Sequence, residues 1–232
     1  MVEQKKKPSV LIAIFTLNER DGWCAPGIVN FVAAMGQYGG ALGLNIVAGM
    51  KPIDYARNCF AKDFLDSNFD WLLMIDNDMA PPLDLLTMLD RAEDHMRILV
   101  PKFYGMKPNS FTLALGWRLL RDEPLIHTAG RSEWRELAFA GTGVMFVHRS
   151  VLQKIAQPWF RFSYDSIGMI TKPEDASFCL KAREAGFSTW GNVNFEADHF
   201  KTVSLSALAK LFERSGARPV SAPLPESFKA GG

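Results

Sequence analysis

Apolar and polar residues follow one another along the first hundred positions in blocks that predict alternating strands and helices. Continuous apolar runs at Ser9–Thr16 and Asp70–Ile75, each followed by polar residues, are typical of strands buried on both faces of a sheet. Asn45–Ala48 predicts a third strand, and helical spacing is found at Ile28–Met35 and Asp54–Leu65. This succession predicts an α/β fold with a mostly parallel central sheet flanked by helices.

The pattern changes along the second half of the chain. A helix is expected after Pro81–Pro82, marked by four leucines: Leu83, Leu85, Leu86 and Leu89. A strand at Ile98–Pro101 follows, and then the pattern loosens over Phe103–Arg135, a stretch that we expect to be mobile or to shape part of a binding site. This stretch contains two possible short strands, Phe111–Leu115 and Leu125–Thr128. Order returns in the apolar segment Leu137–Val147 and in a predicted helix at Pro173–Gly186.

Composition limits the possible partners and the setting. The chain of 232 residues is 48% hydrophobic and carries a net charge of +1, so one core is expected, and bulk charge attracts neither nucleic acid nor anionic membranes. No apolar run reaches the roughly 18 residues that a bilayer span requires, so no membrane span is expected. The three cysteines are widely spaced and form no CxxC motif, which favours a reducing, cytoplasmic location.

Two carboxylates end the second buried strand. Side chains two apart in an extended segment face the same way, so Asp76 and Asp78 are expected to point to one side. Open α/β sheets bind ligands at the carboxyl ends of their strands, and paired carboxylates suit a hard cation such as Mg²⁺ or Mn²⁺. The alternative is that Asp76–Pro82 is a polar turn in which the prolines begin a helix.

A second acidic pair and a late histidine are further candidates. Glu174 and Asp175 open a predicted helix, where carboxylates are favoured by the helix dipole alone. The functional alternative is a general base that takes a proton from an acceptor hydroxyl, with Asp175 preferred and Glu174 as the fallback. His199 is a candidate metal ligand, and Lys201 is a candidate cation for stabilising a departing diphosphate.

These segments together resemble the GT-A fold glycosyltransferases, most closely the inverting, family 2-like group that uses nucleotide-diphospho-sugars. Ile14–Glu19 is similar to the strand end beside the donor nucleotide in that group, although Phe15 stands where a proline is common. Ala56-Arg57-Asn58 and Trp71–Asp78 resemble the donor-binding helix and the DxD block.

The resemblance extends to the second half of the chain and covers roughly Val10 to Ser204. Gly141–Ser150 resembles the strand and turn beneath the transferred sugar, and Pro173–Phe187 resembles the acidic catalytic helix. His199 with Lys201 is similar to a late metal ligand and phosphate contact of some branches.

The resemblance implies a role for each candidate residue. Asp78 is expected to be the main metal ligand, with His199 and Asp76 as further ligands; Asp76 is alternatively a contact of the ribose or of metal-bound water. The expected contacts of the donor are Thr16, Asn18, Arg57, Asn58, Asp76 and Lys201.

The same resemblance implies one GT-A domain over residues 8–212. A Rossmann-like, nucleotide-sugar-binding half is expected at residues 8–100 and an acceptor and catalytic half at 101–212, between flexible termini at 1–7 and 216–232.

The expected activity is metal-dependent transfer of a sugar from a nucleotide-diphospho-sugar, with UDP- or GDP-sugars favoured, to a carbohydrate or other hydroxyl acceptor. The Glu174-Asp175 pair favours inversion. Alternatives are a nucleotidyltransferase and a catalytically silent, glycosyltransferase-like carbohydrate-binding protein. A nucleic-acid acceptor also stays open, through a local basic surface that would include Lys102, Lys107, Arg118 and Arg121.

Overall fold

The structure is a computed structural model that describes residues 6–16, 26–106, 113–121, 132–201 and 210. The predicted donor contact Asn18, the possible strand at Leu125–Thr128 and the predicted flexible tail at 216–232 lie outside these residues. Lys7, which belongs to the predicted flexible leader, forms an ion pair with Asp90 at 2.6 Å.

The described residues form fourteen strands and five α-helices. The strands are β1 Val10–Thr16, β2 Leu42–Ala48, β3 Trp71–Asp76, β4 Met79–Ala80, β5 Ile98–Lys102, β6 Tyr104–Met106, β7 Leu113–Leu115, β8 Trp117–Leu119, β9 Trp134–Ala140, β10 Val144–His148, β11 Ser163–Tyr164, β12 Ile170–Lys172, β13 Thr189–Glu196 and β14 Asp198–His199. The helices are α1 Pro26–Ala34, α2 Ile53–Asp66, α3 Met88–Arg91, α4 Arg149–Lys154 and α5 Glu174–Glu184, and two 3₁₀ turns lie at Met35–Gln37 and Leu85–Thr87.

Eight of these strands form the central sheet in the order β2-β1-β3-β10-β5-β13-β9-β8. The pairs β1/β2, β1/β3 and β5/β13 are parallel, while β10 and β9 run against their neighbours. Six of the eight strands therefore point the same way, and the two reversed strands make four of the seven neighbouring pairs antiparallel, so the central sheet is mixed. Burial agrees with this arrangement, since Leu72 to Ile75 of β3 are fully buried, as expected of a central strand.

Helix α2 is fixed at its carboxyl end by a side chain from a distant part of the chain. The last carbonyl groups of a helix have no partner within the helix and must find donors elsewhere. Arg149, at the start of α4, donates to the carbonyls of Leu65 and Phe69 at 2.8 Å and of Ser67 at 2.7 Å. Arg149 thereby joins the carboxyl end of α2, the helix that carries Arg57, to the start of α4.

Three pairs of short strands lie outside the central sheet: β4/β14, β6/β7 and β11/β12. β4 pairs antiparallel with β14, so that Met79 is opposite His199 and Ala80 is opposite Asp198. β11 and β12 form a hairpin directly before α5. No helix within the described ranges is long and apolar enough to cross a membrane.

The chain divides into two compact units. The first comprises Met1–Gly105 and Leu113–Phe200, and the second comprises Met106–Thr112 and Lys201–Gly232. Of the second unit, the structure describes only Met106, Lys201 and Lys210. The predicted domain boundaries at 8 and 212 remain a prediction.

The structure details one predicted segment and corrects another. The apolar segment Leu137–Val147 contains most of β9, a Gly141-Thr142-Gly143 turn, and most of β10. The leucine-marked helix is reduced to a 3₁₀ turn and the single turn of α3, since Asp84 has the non-helical angles φ −94° and ψ 12°.

Candidate active site

The Asp76-Asn77-Asp78 segment is held in place from both sides of β3. Parallel pairing puts Phe15 of β1 opposite Asp76, so the carboxyl ends of β1 and β3 meet. Asn77 donates its backbone N–H to the carbonyl of Phe15 at 2.9 Å, and its side-chain amide donates to Thr16 Oγ1 at 3.3 Å. On the other side, the N–H of Asp76 donates to the carbonyl of Gly143 at 2.8 Å. Thr16 therefore lies beside the acidic motif, and its contact with the donor stays a prediction.

Asp78 and His199 are brought together by the β4/β14 ladder. The N–H of Phe200 donates to the carbonyl of Asp78 at 2.8 Å, which fixes the two strands beside each other. His199 Nε2 then lies 3.2 Å from Asp78 Oδ2, and His199 Nδ1 lies 3.1 Å from the carbonyl oxygen of Tyr104. The side chains of two residues that are 121 positions apart in the sequence are thus in contact at the end of the sheet.

The contact with Tyr104 determines the chemistry of this histidine. A carbonyl oxygen only accepts hydrogen bonds, so Nδ1 must be the nitrogen that carries the proton. In the neutral ring, Nε2 then presents a lone pair to the carboxylate of Asp78. Two such acceptor atoms attract each other only through a proton on Nε2 or through a cation bound to both. A backbone carbonyl that orients the far nitrogen is also the usual support of a metal-bound histidine.

The donor set fits a divalent cation with open positions. Adjacent ligands of an octahedral ion with bonds of about 2.0–2.1 Å lie roughly 3 Å apart, which is close to the 3.2 Å between Asp78 Oδ2 and His199 Nε2. No group of three His, Cys, Asp or Glu residues that could hold a metal occurs within the part of the chain that the structure describes. Two protein ligands leave most of the coordination shell to water and to phosphate oxygens, which is how Mg²⁺ binds to nucleotides in many enzymes.

Asp76 makes its contact with a different partner. Its Oδ1 accepts a hydrogen bond from Arg57 Nη2 at 2.8 Å, and Arg57 Nη1 also donates to Glu174 Oε1. Arg57 and Glu174 are buried, whereas Asp76 is partly exposed. Burial opposes the charge of Arg57, but the two carboxylates outweigh it, and the pKa of Arg57 rises above its usual value. Metal binding by Asp76 remains a prediction, as does a nucleotide contact of Arg57.

The second acidic pair begins α5, as the sequence predicts. Burial raises the pKa of both carboxyl groups, and for each of them the charge of Arg57 acts in the opposite direction. Glu174 is held by Arg57, whereas Asp175 Oδ1 accepts the N–H of Ala176 at 2.6 Å and has no ion pair within the described ranges. Asp175 Oδ2 lies 3.5 Å from the position that a Cβ on Gly141 would take, so this carboxylate faces the turn between β9 and β10.

The remaining predicted donor contacts have other surroundings. The side-chain amide of Asn58 donates to the carbonyls of Asp54 and Phe160, both at 2.7 Å, and its Oδ1 accepts the N–H of Phe160 at 3.1 Å. Asn58 therefore fastens the segment before the β11/β12 hairpin to α2. Lys201 is exposed and belongs to the second unit. The nucleotide contact of Asn58 and the phosphate contact of Lys201 stay predictions.

Sequence reasoning missed the bridging position of Arg57. Arg57, Phe60, Ala61 and Phe64 are spaced as one face of a helix, and all four are buried. This spacing is the signal that would have put Arg57 inside the protein. A buried guanidinium requires carboxylate partners, and the acidic blocks at Asp76 and Glu174 supply them.

Comparison with known proteins relates this arrangement to a fold. No family model and no curated protein matches the sequence. Among solved structures, A197 from STIV is 17% identical over 84% of this chain and 86% of that chain, with a TM-score of 0.58. GalNAc-T7, solved with UDP, GalNAc and Mn²⁺, is 12% identical over 87% of this chain and 45% of that chain, with a TM-score of 0.53. The fold is that of the GT-A glycosyltransferases.

The first compact unit contains the carboxyl ends of β1 and β3, the Asp78–His199 pair and the start of α5. The inositol-1-phosphate CTP transferase from T. maritima has a related architecture, with 12% identity over 90% of this chain and 95% of that chain and a TM-score of 0.50. Because one fold supports more than one chemistry, the activity has to be argued from the site.

Proposed function

We propose that the protein is a metal-dependent glycosyltransferase that moves a sugar from a nucleotide-diphospho-sugar to an acceptor hydroxyl with inversion. The observation that carries the proposal is the buried guanidinium of Arg57, which contacts both Asp76 and Glu174. This bridge joins the strand end that bears Asp78 to the helix start that bears Asp175. A candidate cation ligand and a candidate base thus belong to one connected site.

We assign the role of general base to Asp175. As the acceptor oxygen attacks the anomeric carbon, its O–H proton passes to the carboxylate of Asp175, a new C–O bond forms, and the bond from the sugar to the diphosphate breaks. A base works best when its pKa lies near the working pH, and the pKa of Asp175 is raised by burial. Glu174 is less suited to this task because Arg57 already binds it.

The residues that would hold a cation are Asp78 and His199, with Asp76 as a third candidate. A bound Mn²⁺ or Mg²⁺ would neutralise the charge that develops on the departing diphosphate. GalNAc-T7 was solved with Mn²⁺ and UDP, and for this chain we propose a divalent metal and a UDP- or GDP-sugar. Thr16 would border the nucleotide.

Nucleotidyl transfer is the second candidate, and the likeness to the inositol-1-phosphate CTP transferase favours it. The two reactions release different products. A glycosyltransferase releases a nucleoside diphosphate from a nucleotide-sugar, whereas a nucleotidyltransferase releases pyrophosphate from a nucleoside triphosphate and a sugar phosphate. A silent, carbohydrate-binding protein would release neither.

The test is a product assay with UDP-, GDP-, CMP- and dTDP-sugars, and in parallel with CTP or UTP plus a sugar phosphate. We expect nucleotide release from a nucleotide-sugar that stops when a chelator is added. Asp175→Asn should lower turnover by about 10²–10⁴-fold while donor binding is kept. Glu184→Gln, at an exposed position of the same helix, is the matched control and should keep full turnover.

Each other outcome rejects one part of the proposal. If Asp175→Asn keeps the turnover of the wild type, Asp175 is not the general base. Pyrophosphate release from a triphosphate would establish nucleotidyl transfer instead. If a chelator does not change donor binding, the donor does not bind through a metal.

A further inference from the structure

The hairpin before α5 has an ordered turn. Asp165 Oδ1 accepts the backbone N–H groups of Ile167 and Met169 at 3.0 and 2.9 Å, and the N–H of Asp165 donates to the carbonyl of Met169 at 2.9 Å. Gly168 has a φ of 83°, a conformation that glycine adopts without strain. The turn is thus built to keep one shape, although it projects into solvent.

This hairpin exposes large apolar side chains on a short stretch of chain. Ile167 is 82% exposed, Met169 63%, Tyr164 59% and Ile170 55%. Tyr164 and Ile170 are opposite each other in the β11/β12 pairing, so they share one face. We refer to these four residues as the apolar tip. Single exposed apolar residues are ordinary, but a contiguous group of them marks an interaction surface.

The charges around the apolar tip indicate the kind of surface that it contacts. Arg161 precedes the hairpin and Lys172 ends it, and both are exposed. Between them, Asp165 is the only acidic residue, and its Oδ1 is occupied by the turn. Apolar side chains at the end of an element with cations at its base fit a membrane interface, where acyl chains lie below anionic headgroups. This combination of exposed apolar residues and flanking cations favours an anionic lipid surface over a protein partner.

The base of the hairpin is rigid. The ring of Phe160 stacks on Phe178 of α5 with centroids 4.6 Å apart. The side-chain amide of Asn58 donates to the carbonyl of Phe160 and accepts the N–H of the same residue. At the other end, Lys172 is followed by Pro173 and by Glu174, the first residue of α5. A surface bound by the apolar tip would therefore be fixed relative to the acidic end of α5.

We propose that the β11/β12 hairpin is a peripheral membrane-docking element whose partner is an anionic lipid surface. The apolar tip enters the interface, and Arg161 and Lys172 contact the anionic headgroups. This goes beyond the proposed transfer reaction and does not depend on it, since lipid binding is measured without donor or acceptor.

The test is cosedimentation of the full chain with vesicles of phosphatidylcholine alone and of an equal mixture of phosphatidylcholine and phosphatidylglycerol. The wild type should bind the mixed vesicles more tightly. Ile167→Ser with Met169→Ser should weaken that binding by about tenfold or more, because two apolar side chains no longer leave water. Arg161→Gln with Lys172→Gln should weaken it by about fivefold per cation, given about 1 kcal/mol for each, with little effect on neutral vesicles.

The matched control is Val29→Ser with Ile46→Ser, which removes two apolar side chains that are 67% and 63% exposed on α1 and β2. This control should bind vesicles as the wild type does. The proposal is overturned if the wild type does not sediment with mixed vesicles, or if the control loses as much binding as the hairpin variant. A dimer in size-exclusion chromatography with light scattering that Ile167→Ser with Met169→Ser dissolves, without vesicle binding, would instead assign the surface to a second copy of the chain.

Discussion

At the residue scale, Arg57 carries a permanent positive charge into the protein interior, where it must be balanced. Asp76 and Glu174 provide that balance from two different parts of the chain. Removing one member of a buried ion pair leaves an uncompensated charge, which costs far more than the pair itself contributes. The free energy of unfolding should therefore depend strongly on Arg57.

Arg57→Met should lower the free energy of unfolding by about 3–5 kcal/mol, the usual cost of leaving buried charges unpaired. Lys62→Met is the control on the same helix, because the Lys62–Asp66 pair is exposed. That change should cost no more than about 0.5 kcal/mol. Urea unfolding of the three proteins measures both values. Equal losses for the two variants would mean that the bridge by Arg57 does not stabilise the fold.

How far the sequence predicts the site depends on whether a role follows from local spacing. Asp78 and Asp175 were singled out because a strand end and a helix start are visible in the pattern. The contact of Asp78 with His199 depends on a two-residue ladder between segments 121 positions apart, which no local pattern contains. Asn58 is similar: the family resemblance implies a donor contact, and only the tertiary structure reveals its bonds to Phe160.

Asp175 should also make the folding stability depend on pH. Its raised pKa means that the folded protein holds this proton in a pH range where the unfolded chain has released it. The resulting stabilisation is complete below the ordinary aspartate pKa of about 4 and is lost as the pH rises through the higher pKa of the folded state. Asparagine has no such titration.

Asp175→Asn should therefore gain stability relative to the wild type as the pH increases. Urea unfolding of both proteins between about pH 4 and pH 8 provides the comparison. Glu174 is present in both proteins, so its own titration largely cancels in the difference. A difference in unfolding free energy that stays constant over this range would mean that the pKa of Asp175 is not raised.

At the element scale, α1 approaches β4 closely beside the candidate metal ligands. A Cβ on Gly27 would lie 2.4 Å from the Cβ of Ala80, which belongs to β4 and faces Asp198 of β14. The Cβ of alanine cannot rotate away, so any added atom has to move the backbone. The short ladder that brings His199 to Asp78 is thus supported from the side by a glycine of α1.

Gly27→Ala should cost about 1–3 kcal/mol, as overpacking does in well-packed interiors. Gly36→Ala is the control because a Cβ there meets nothing within 4 Å. That change should be neutral or slightly stabilising, since alanine restricts the unfolded chain more than glycine does. Chemical unfolding gives the stabilities, and Mn²⁺ titration should show weaker binding only in Gly27→Ala. Similar behaviour of the two variants would exclude the close packing of α1 on β4.

Long strands and helices could be predicted from the sequence, whereas very short strands could not, because only a long element contains a recognisable apolar pattern. β1, β3 and α2 have long, regular apolar patterns, and the structure confirms them with only their bounds adjusted. The apolar segment Leu137–Val147 divides into the reversed strands β9 and β10 at the Gly141-Thr142-Gly143 turn, and apolar composition alone does not indicate which way each strand runs. β4 and β14 have two residues each, too few for any period, and they exist because they pair with each other.

At the scale of the whole molecule, long-range contacts bring the sheet, the β4/β14 ladder and the start of α5 into one compact unit that contains the candidate site. A ligand that binds this folded site and not the unfolded chain must stabilise the whole protein. If Asp78 and His199 hold the cation through which a nucleotide-sugar binds, the effect of the donor on the melting temperature should require the metal.

The wild type should melt at a higher temperature with Mn²⁺ and its donor than with the donor and a chelator. At a hundredfold excess over Kd the gain is about 2.7 kcal/mol, or roughly 5–10 °C for a protein of this size. Asp78→Asn and His199→Ala should lose the metal-dependent part, because each removes one of the two donor atoms that lie 3.2 Å apart. Asp198→Asn, at the exposed neighbouring position in β14, should keep it. A shift that survives the chelator, or one that Asp198→Asn loses equally, would mean that Asp78 and His199 do not form the metal site.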